Sequence, residues 1–130
     1  MEKRKKTDLC QMDQGYVLLL PEGVSDYFEV VKVDISSTGT ILHLDELNLI
    51  PEEYQGQRFQ SKGFIDSSDI EDFPLRGKPV ILRVRRRKWL IVDTGKIIIR
   101  NWDLVAKGTL MTQEFASFLK ALYRYQSLKL

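Results

Sequence analysis

The feature that most constrains the fold of this chain is its longest β-like run, residues 80–92 (VILRVRRRKWLIV). The run is rich in β-branched and aromatic residues, which favour strands. A turn at 93–96 (DTGK) follows, with a glycine for the positive backbone angle, and residues 97–102 (IIIRNW) return as a partner strand. Because both runs contain strongly apolar stretches, we predict a β-hairpin at the centre of a sheet.

A second hairpin is predicted earlier in the chain. Residues 29–35 (EVVKVDI) and 40–44 (TILHL) are β-like and flank a turn cluster at 36–39. Before it, residues 14–28 predict short helical turns on either side of Pro21. We predict a weak strand within 58–65 and an acidic loop at 66–72.

Apolar residues near the C-terminal end recur at helical spacing, at Phe115, Phe118, Leu119 and Leu122. Thr112 is a candidate N-cap, and the helix is expected to extend to about Tyr125. The length of 130 residues suits one domain. We therefore predict an α+β fold over residues 13–130. It combines a small antiparallel sheet of hairpins, a C-terminal amphipathic helix and short N-terminal helical turns, preceded by a flexible basic arm at 1–12.

Charge is distributed unevenly along the chain, although the net charge is only +2. Residues 13–72 contain thirteen acidic and three basic side chains, whereas residues 76–107 contain ten basic and two acidic ones. Such a split favours a positive surface for an anionic partner. The alternative is two solvated surfaces that neutralise one another.

The residue types needed for most chemistry are scarce. The chain has one cysteine, Cys10, and one histidine, His43, so neither an internal disulfide nor a metal site of Cys and His ligands can form. Gly-rich phosphate loops are absent, and the carboxylates lie in predicted loops and turns. We expect no enzyme activity, no metal and no cofactor. The lone cysteine and the lack of a run of roughly 20 apolar residues predict a cytoplasmic protein without a membrane partner.

The basic run is the strongest functional signal. If it is one strand, Arg83, Arg85, Arg87 and Trp89 share a face, and successive arginines stand about 7 Å apart. Arginines so close cost stability unless an anion or neighbouring acids offset their charge. We predict DNA contact by a set of basic residues: Arg83, Arg85, Arg86, Arg87 and Lys88, supported by Lys78, Lys96 and Arg100. Lys107 and the basic arm at residues 3–6 would extend the set. The alternative is internal pairing with the acids of 66–72.

Four segments together resemble the N-terminal region of bacterial insertion-sequence transposases: LLLPEGVSDYFEVVKV (18–33), IPEEYQG (50–56), IEDFPLRGKPVILRVRRRKWL (70–90) and NWDLVAKGTLMTQEFASFL (101–119). Related transposases have a zinc ribbon here, then a helix-turn-helix and a D-D-E catalytic domain. This chain lacks the ribbon cysteines: Leu90 and Thr94 stand near one ligand pair, and the other pair is missing around 47–54. The resemblance thus implies a degenerate ribbon without zinc, held by apolar residues: Leu90, Ile91, Ile97, Ile98 and Ile99.

The function implied by the resemblance is that of a non-catalytic, DNA-binding N-terminal subunit or fragment of a transposase. It would position transposon ends for a separately encoded D-D-E catalytic part, with that catalytic subunit as a partner, and a homo-oligomer is compatible with this role. Two alternatives stay open. One is a protein-interaction module that docks the catalytic subunit while its basic strand is neutralised internally, and the other is an inactive remnant of a mobile element.

Overall fold

A computed structural model describes residues 15–102 and 112–129 of the chain. Within these ranges the strands are β1 (Phe28–Ser36), β2 (Gly39–Glu46), β3 (Phe59–Phe64), β4 (Ser68–Leu75), β5 (Lys78–Arg85), β6 (Arg87–Ile91) and β7 (Lys96–Ile99). One α-helix, α1 (Gln113–Lys129), follows. Short 3₁₀ turns lie at Val17–Leu19, Val24–Asp26 and Glu52–Tyr54. The predicted α+β class is confirmed.

The strands form two sheets. The larger has the order β1-β2-β5-β4, and the smaller has the order β3-β6-β7. All pairs are antiparallel except β2 with β5, which is parallel, so the larger sheet is mixed rather than purely antiparallel. The parallel pair arises because β2 and β5 are separated by a long connection that includes β3 and β4.

The hairpin of β1 and β2 was predicted, whereas that of β4 and β5 was not. The predicted acidic loop at 66–72 is wrong, since most of it belongs to β4. Arg76 and Gly77 make the tight turn into β5, and both have positive φ angles, of 52° and 78°. Two such residues are typical of a two-residue hairpin turn whose twist matches that of the strands.

Helix α1 packs against the larger sheet and closes the main core. Phe115, Phe118, Leu119 and Leu122 are all buried, which confirms the predicted apolar stripe. The N-cap prediction is also confirmed, because the Thr112 hydroxyl accepts a hydrogen bond from the Phe115 amide at 3.1 Å. Beneath the helix the core contains strand residues with little or no exposure: Phe28, Leu42, Leu44, Leu82 and Val84.

The basic run does not form one continuous strand. β5 ends at Arg85 and β6 begins at Arg87, so residues 80–92 contribute to both sheets. At the break the Ile65 amide donates to the Arg86 carbonyl at 2.9 Å, and the Arg87 amide donates to the Glu46 carboxylate at 3.0 Å. The prediction of one strand whose single face holds Arg83, Arg85, Arg87 and Trp89 is therefore wrong, and Trp89 is buried in the smaller sheet.

Candidate nucleic-acid interface

Two of the predicted DNA-binding arginines, Arg83 and Arg85, lie on the face of the larger sheet that points away from α1. The strand register places His43 and Asp69 on either side of Arg83, and Asp45 beside Arg85. Cross-strand neighbours on one face stand about 5 Å apart, so each arginine faces an acid of the same chain.

Both arginines are bound by these acids through two hydrogen bonds each. Arg83 donates to the Asp69 carboxylate at 2.8 and 3.1 Å, and Arg85 donates to Asp45 at 2.7 and 2.6 Å. The hydrogen bond that Asp69 accepts from Arg83 lowers the pKa of Asp69, and the hydrogen bond that Arg85 donates to Asp45 raises the pKa of Arg85. The forked geometry is the one arginine would use on a phosphate, so DNA would have to compete with these acids.

Arg87 begins β6 and lies between the two sheets. Its Nε donates to the Glu46 carbonyl at 3.1 Å, and its Nη1 donates to the Ser61 hydroxyl at 2.5 Å. The guanidinium carbons of Arg85 and Arg87 lie 4.2 and 4.6 Å from the centre of the Phe64 ring. These cation–π contacts stabilise the junction of the sheets rather than an exposed ladder.

A buried ion pair joins the end of β2 to the residue after β7. Glu46 is 1% exposed and accepts from Arg100 Nε at 2.9 Å, while the Arg100 side chain also donates to the Leu49 carbonyl. Burial raises the pKa of Glu46, and the hydrogen bonds from Arg87 and Arg100 act in the opposite direction. The Arg100 guanidinium also lies near the rings of Tyr27, Trp89 and Trp102, at 5.2 to 5.8 Å. It is thus enclosed by the protein, not offered to DNA.

Arg86 is the second predicted contact that the fold encloses. It occupies the break between β5 and β6 and is 3% exposed. Burial lowers the pKa of Arg86, with the Glu46 carboxylate opposing the shift. Burying a guanidinium costs free energy that only nearby polar groups can offset, so this position favours a structural role.

The three predicted lysines remain accessible but lie apart. Lys88 is on β6, Lys96 begins β7, and Lys78 begins β5, seven residues before Arg85, about 23 Å along an extended strand. No ion pair within the described ranges involves any of the three. The structure therefore does not bring all eight predicted residues onto one continuous face. Lys107 and the basic arm lie outside the described residues.

The hairpin of β6 and β7 has its own small hydrophobic cluster. Trp89, Ile91 and Ile98 are buried, with Ile50 and Tyr54 packed against them. The Trp89 indole N–H donates to the Asn48 side-chain oxygen at 2.8 Å, so its buried polar atom is satisfied. Of the five residues predicted to hold the hairpin, Ile91 and Ile98 are buried, Leu90 is half-buried, and Ile97 and Ile99 are largely on the outside.

Several site residues were missed by sequence reasoning. Asp45 and Glu46 looked like solvated loop acids, but they end β2 beside the arginines. Phe64, between Arg85 and Arg87, carried no signal beyond a weak strand pattern. The interaction of His43 with Asp34, at 2.8 Å between Nε2 and a carboxylate oxygen, was also not anticipated. The sequence feature that could have identified these acids is their position at the end of the apolar β2 run, because β2 pairs with the arginine-bearing strand β5.

The described part of the chain contains neither a cluster of metal-binding side chains nor a membrane-spanning helix. No group of three or more His, Cys, Asp or Glu side chains there is placed to hold a metal ion. In the same ranges, no helix is long and apolar enough to cross a membrane. Comparison of the chain with family models, curated proteins and solved structures found no match.

Proposed function

We propose that this chain is a non-catalytic module of a bacterial insertion-sequence transposase. It acts in the cytoplasm and binds transposon-end DNA for a separately encoded catalytic subunit. One observation carries the proposal. The resemblance puts two lost zinc-binding knuckles near 47–54 and 90–94, and these segments contribute Ile50, Tyr54 and Ile91 to the small hydrophobic cluster, where they pack with Trp89 and Ile98. Apolar burial then does what a metal does in related ribbons, at roughly 1.5–3 kcal/mol per large side chain.

DNA contact in this proposal depends on the lysines more than on the arginines. Arg83, Arg85 and Arg100 are paired with acids of this chain, so bringing them to phosphate requires an existing ion pair to open. Lys88 and Lys96 lie on the same hairpin without such partners in the described ranges, and each can neutralise a phosphate.

The salt dependence of binding tests the proposal. Each neutralised phosphate adds about 0.9 to the slope of log K against log salt for duplex DNA. The double variant K88A/K96A should therefore lower the slope by about 1.8 on a duplex carrying the element end. K32A is the matched control, because Lys32 is an exposed lysine on β1, in the other sheet, and its loss should leave the slope unchanged. Equal slopes for wild type and K88A/K96A would reject the proposed DNA contacts.

A second candidate function, a protein-interaction module that docks the catalytic subunit, is favoured by the internal neutralisation of the arginines. Each of the pairs Arg83–Asp69, Arg85–Asp45 and Arg100–Glu46 joins the acidic stretch to the basic one. This function predicts no salt-dependent DNA binding, and a direct complex with the catalytic subunit that survives alanine substitution of both hairpin lysines.

A further inference from the structure

A groove of about 760 Å³ lies between β4 and α1, on the opposite side of the larger sheet from the arginine ion pairs. Consecutive residues 70–75 of β4 form one wall, and α1 residues between 113 and 121 form the other. The turn at 18–21 lines the groove as well, and Val80 and Leu82 contribute from the neighbouring strand. A run of consecutive strand residues along a wall means that the main chain itself borders the groove, because side chains alternate between faces.

Apolar side chains around this groove are unusually exposed. Leu18 is 86% exposed and Phe73 is 79% exposed, and Leu75 is exposed beside them. Single exposed apolar residues are common, but a cluster around a concave surface marks a site of interaction.

The strand that borders the groove is at the edge of its sheet. β4 pairs with β5 on one side and has no second strand neighbour within the described ranges. An edge strand presents a row of N–H and C=O groups that can pair with another chain. Pro74 has no amide hydrogen to donate, and the register with β5 is irregular between Asp72 and Leu75. The part of β4 that can pair regularly with another strand is therefore the part before Phe73.

The rim of the groove is acidic. Asp72 and Glu114 line it, the Glu71 side chain lies on the opposite face of β4 because it alternates with Ile70 and Asp72, and no lysine or arginine is among the described lining residues. Burial and the nearby Glu114 carboxylate both raise the pKa of Asp72. One oxygen of Glu114 accepts the Glu22 amide at 3.0 Å, which fixes this carboxylate at the rim. A cation brought to this rim would relieve the repulsion between the carboxylates.

We propose that an extended segment of a partner protein, with lysine or arginine alternating with apolar residues, pairs with the outer edge of β4 and fills this groove. Main-chain hydrogen bonds to β4 give the affinity, the apolar side chains enter the groove, and the alternating cations lie on the opposite face beside Glu71. A second copy of this chain fits poorly, since pairing β4 with β4 would bring Glu71 and Asp72 of both copies together. The proposal does not depend on DNA binding, because it uses none of the hairpin lysines.

Three ten-residue peptides test the proposal on the full chain. One alternates valine and lysine, the second alternates valine and glutamate, and the third is the lysine peptide with alternate backbone nitrogens methylated so that it cannot pair with a strand. We expect the lysine peptide to bind at least tenfold more tightly than either of the others, measured by fluorescence anisotropy. The chemical-shift changes that the lysine peptide causes in the NMR spectrum of the protein should map to β4 and α1. Equal binding of the three peptides, no binding of the lysine peptide, or shifts confined to other surfaces would overturn the proposal.

Charge variants of the protein separate the remaining explanations. E71K, at an exposed position on the face of β4 that meets the cations of the peptide, should weaken binding of the lysine peptide at least tenfold, and E53K, which makes the same charge change in the Glu52–Tyr54 turn, should not. If the variant K3Q/R4Q/K5Q/K6Q bound the lysine peptide tenfold more tightly, the occupant of the groove would instead be the chain's own basic arm. A dimer in sedimentation equilibrium that E71K abolishes would assign it to a second copy. Either result would overturn the proposal.

Discussion

Single residues at the junction of the two sheets show why a sequence rich in arginine does not have to form an exposed binding surface. Glu46 accepts hydrogen bonds from the Arg87 amide and from Arg100 Nε while being almost fully buried. A carboxylate in such a place is stable only while these donors remain, and Arg100 in turn needs the carboxylate. The arginines of this region thus stabilise the connection between the sheets.

Removing the charge of Glu46 should be costly. E46Q keeps the size of the side chain but leaves the buried Arg100 guanidinium without its counter-charge, so we expect a loss of about 3 kcal/mol in the free energy of unfolding, measured with urea. D93N breaks the exposed Arg58–Asp93 pair and should cost less than about 1 kcal/mol. Similar losses in the two variants would contradict a structural role for the buried pair.

Among the elements, the β6–β7 hairpin departs most from a simple amphipathic pattern. The three isoleucines of β7 are consecutive, so composition alone assigns them the same environment. Alternation along the strand places Ile98 against Trp89 and leaves Ile97 and Ile99 on the opposite face, beside Leu90 and Lys88. The interior of the hairpin is therefore small, and each of its buried side chains carries a large share of its stability.

Adjacent isoleucines provide a matched test of this arrangement. I98A removes a buried side chain from the cluster and should lower the free energy of unfolding by 2 to 5 kcal/mol, to order of magnitude. I97A, at a position 52% exposed, should lower it by less than about 1 kcal/mol. If I97A proved the more damaging, the assigned face of β7 would be incorrect.

Across the whole molecule, the acidic and basic stretches of the sequence meet in the fold. Asp45, Glu46 and Asp69 come from the acidic stretch, and their partners Arg85, Arg100 and Arg83 come from the basic one. The uneven charge along the chain becomes a set of cross-strand pairs, which limits the net positive surface. Arg100 also contacts both hydrophobic clusters, through the rings of Trp102 in the larger and Trp89 in the smaller.

The stability of the whole fold should be independent of metal. Apolar packing of Trp89, Ile91 and Ile98 holds the β6–β7 hairpin, so EDTA should leave Tm unchanged in a thermal scan. Elemental analysis of the purified protein gives a second readout, and we expect no stoichiometric zinc. Zinc at one equivalent together with a lower Tm in EDTA would refute this expectation.

Local patterns in the sequence were sufficient for most of the secondary structure. The helical spacing from Phe115 to Leu122, the Thr112 cap and the hairpin turns at 37–38 and 93–95 depend on interactions within a few residues, and each is present in the fold. Of the five apolar residues that the resemblance implied would hold the second hairpin, Ile91 and Ile98 are buried, whereas Ile97 and Ile99 are exposed and Leu90 is half-buried.

Only the tertiary structure determined which partners the arginines of the basic run contact and where the run is broken. Whether Arg83 and Arg85 point to solvent or to Asp69 and Asp45 depends on which strands become neighbours, and the parallel β2–β5 pairing joins residues that are 40 positions apart. The break at Arg86 likewise follows from a bond between Arg87 and Glu46, 41 residues away. Long-range pairing of this kind leaves no periodic trace in the sequence, since alternation gives the face of a residue but not the strand beside it.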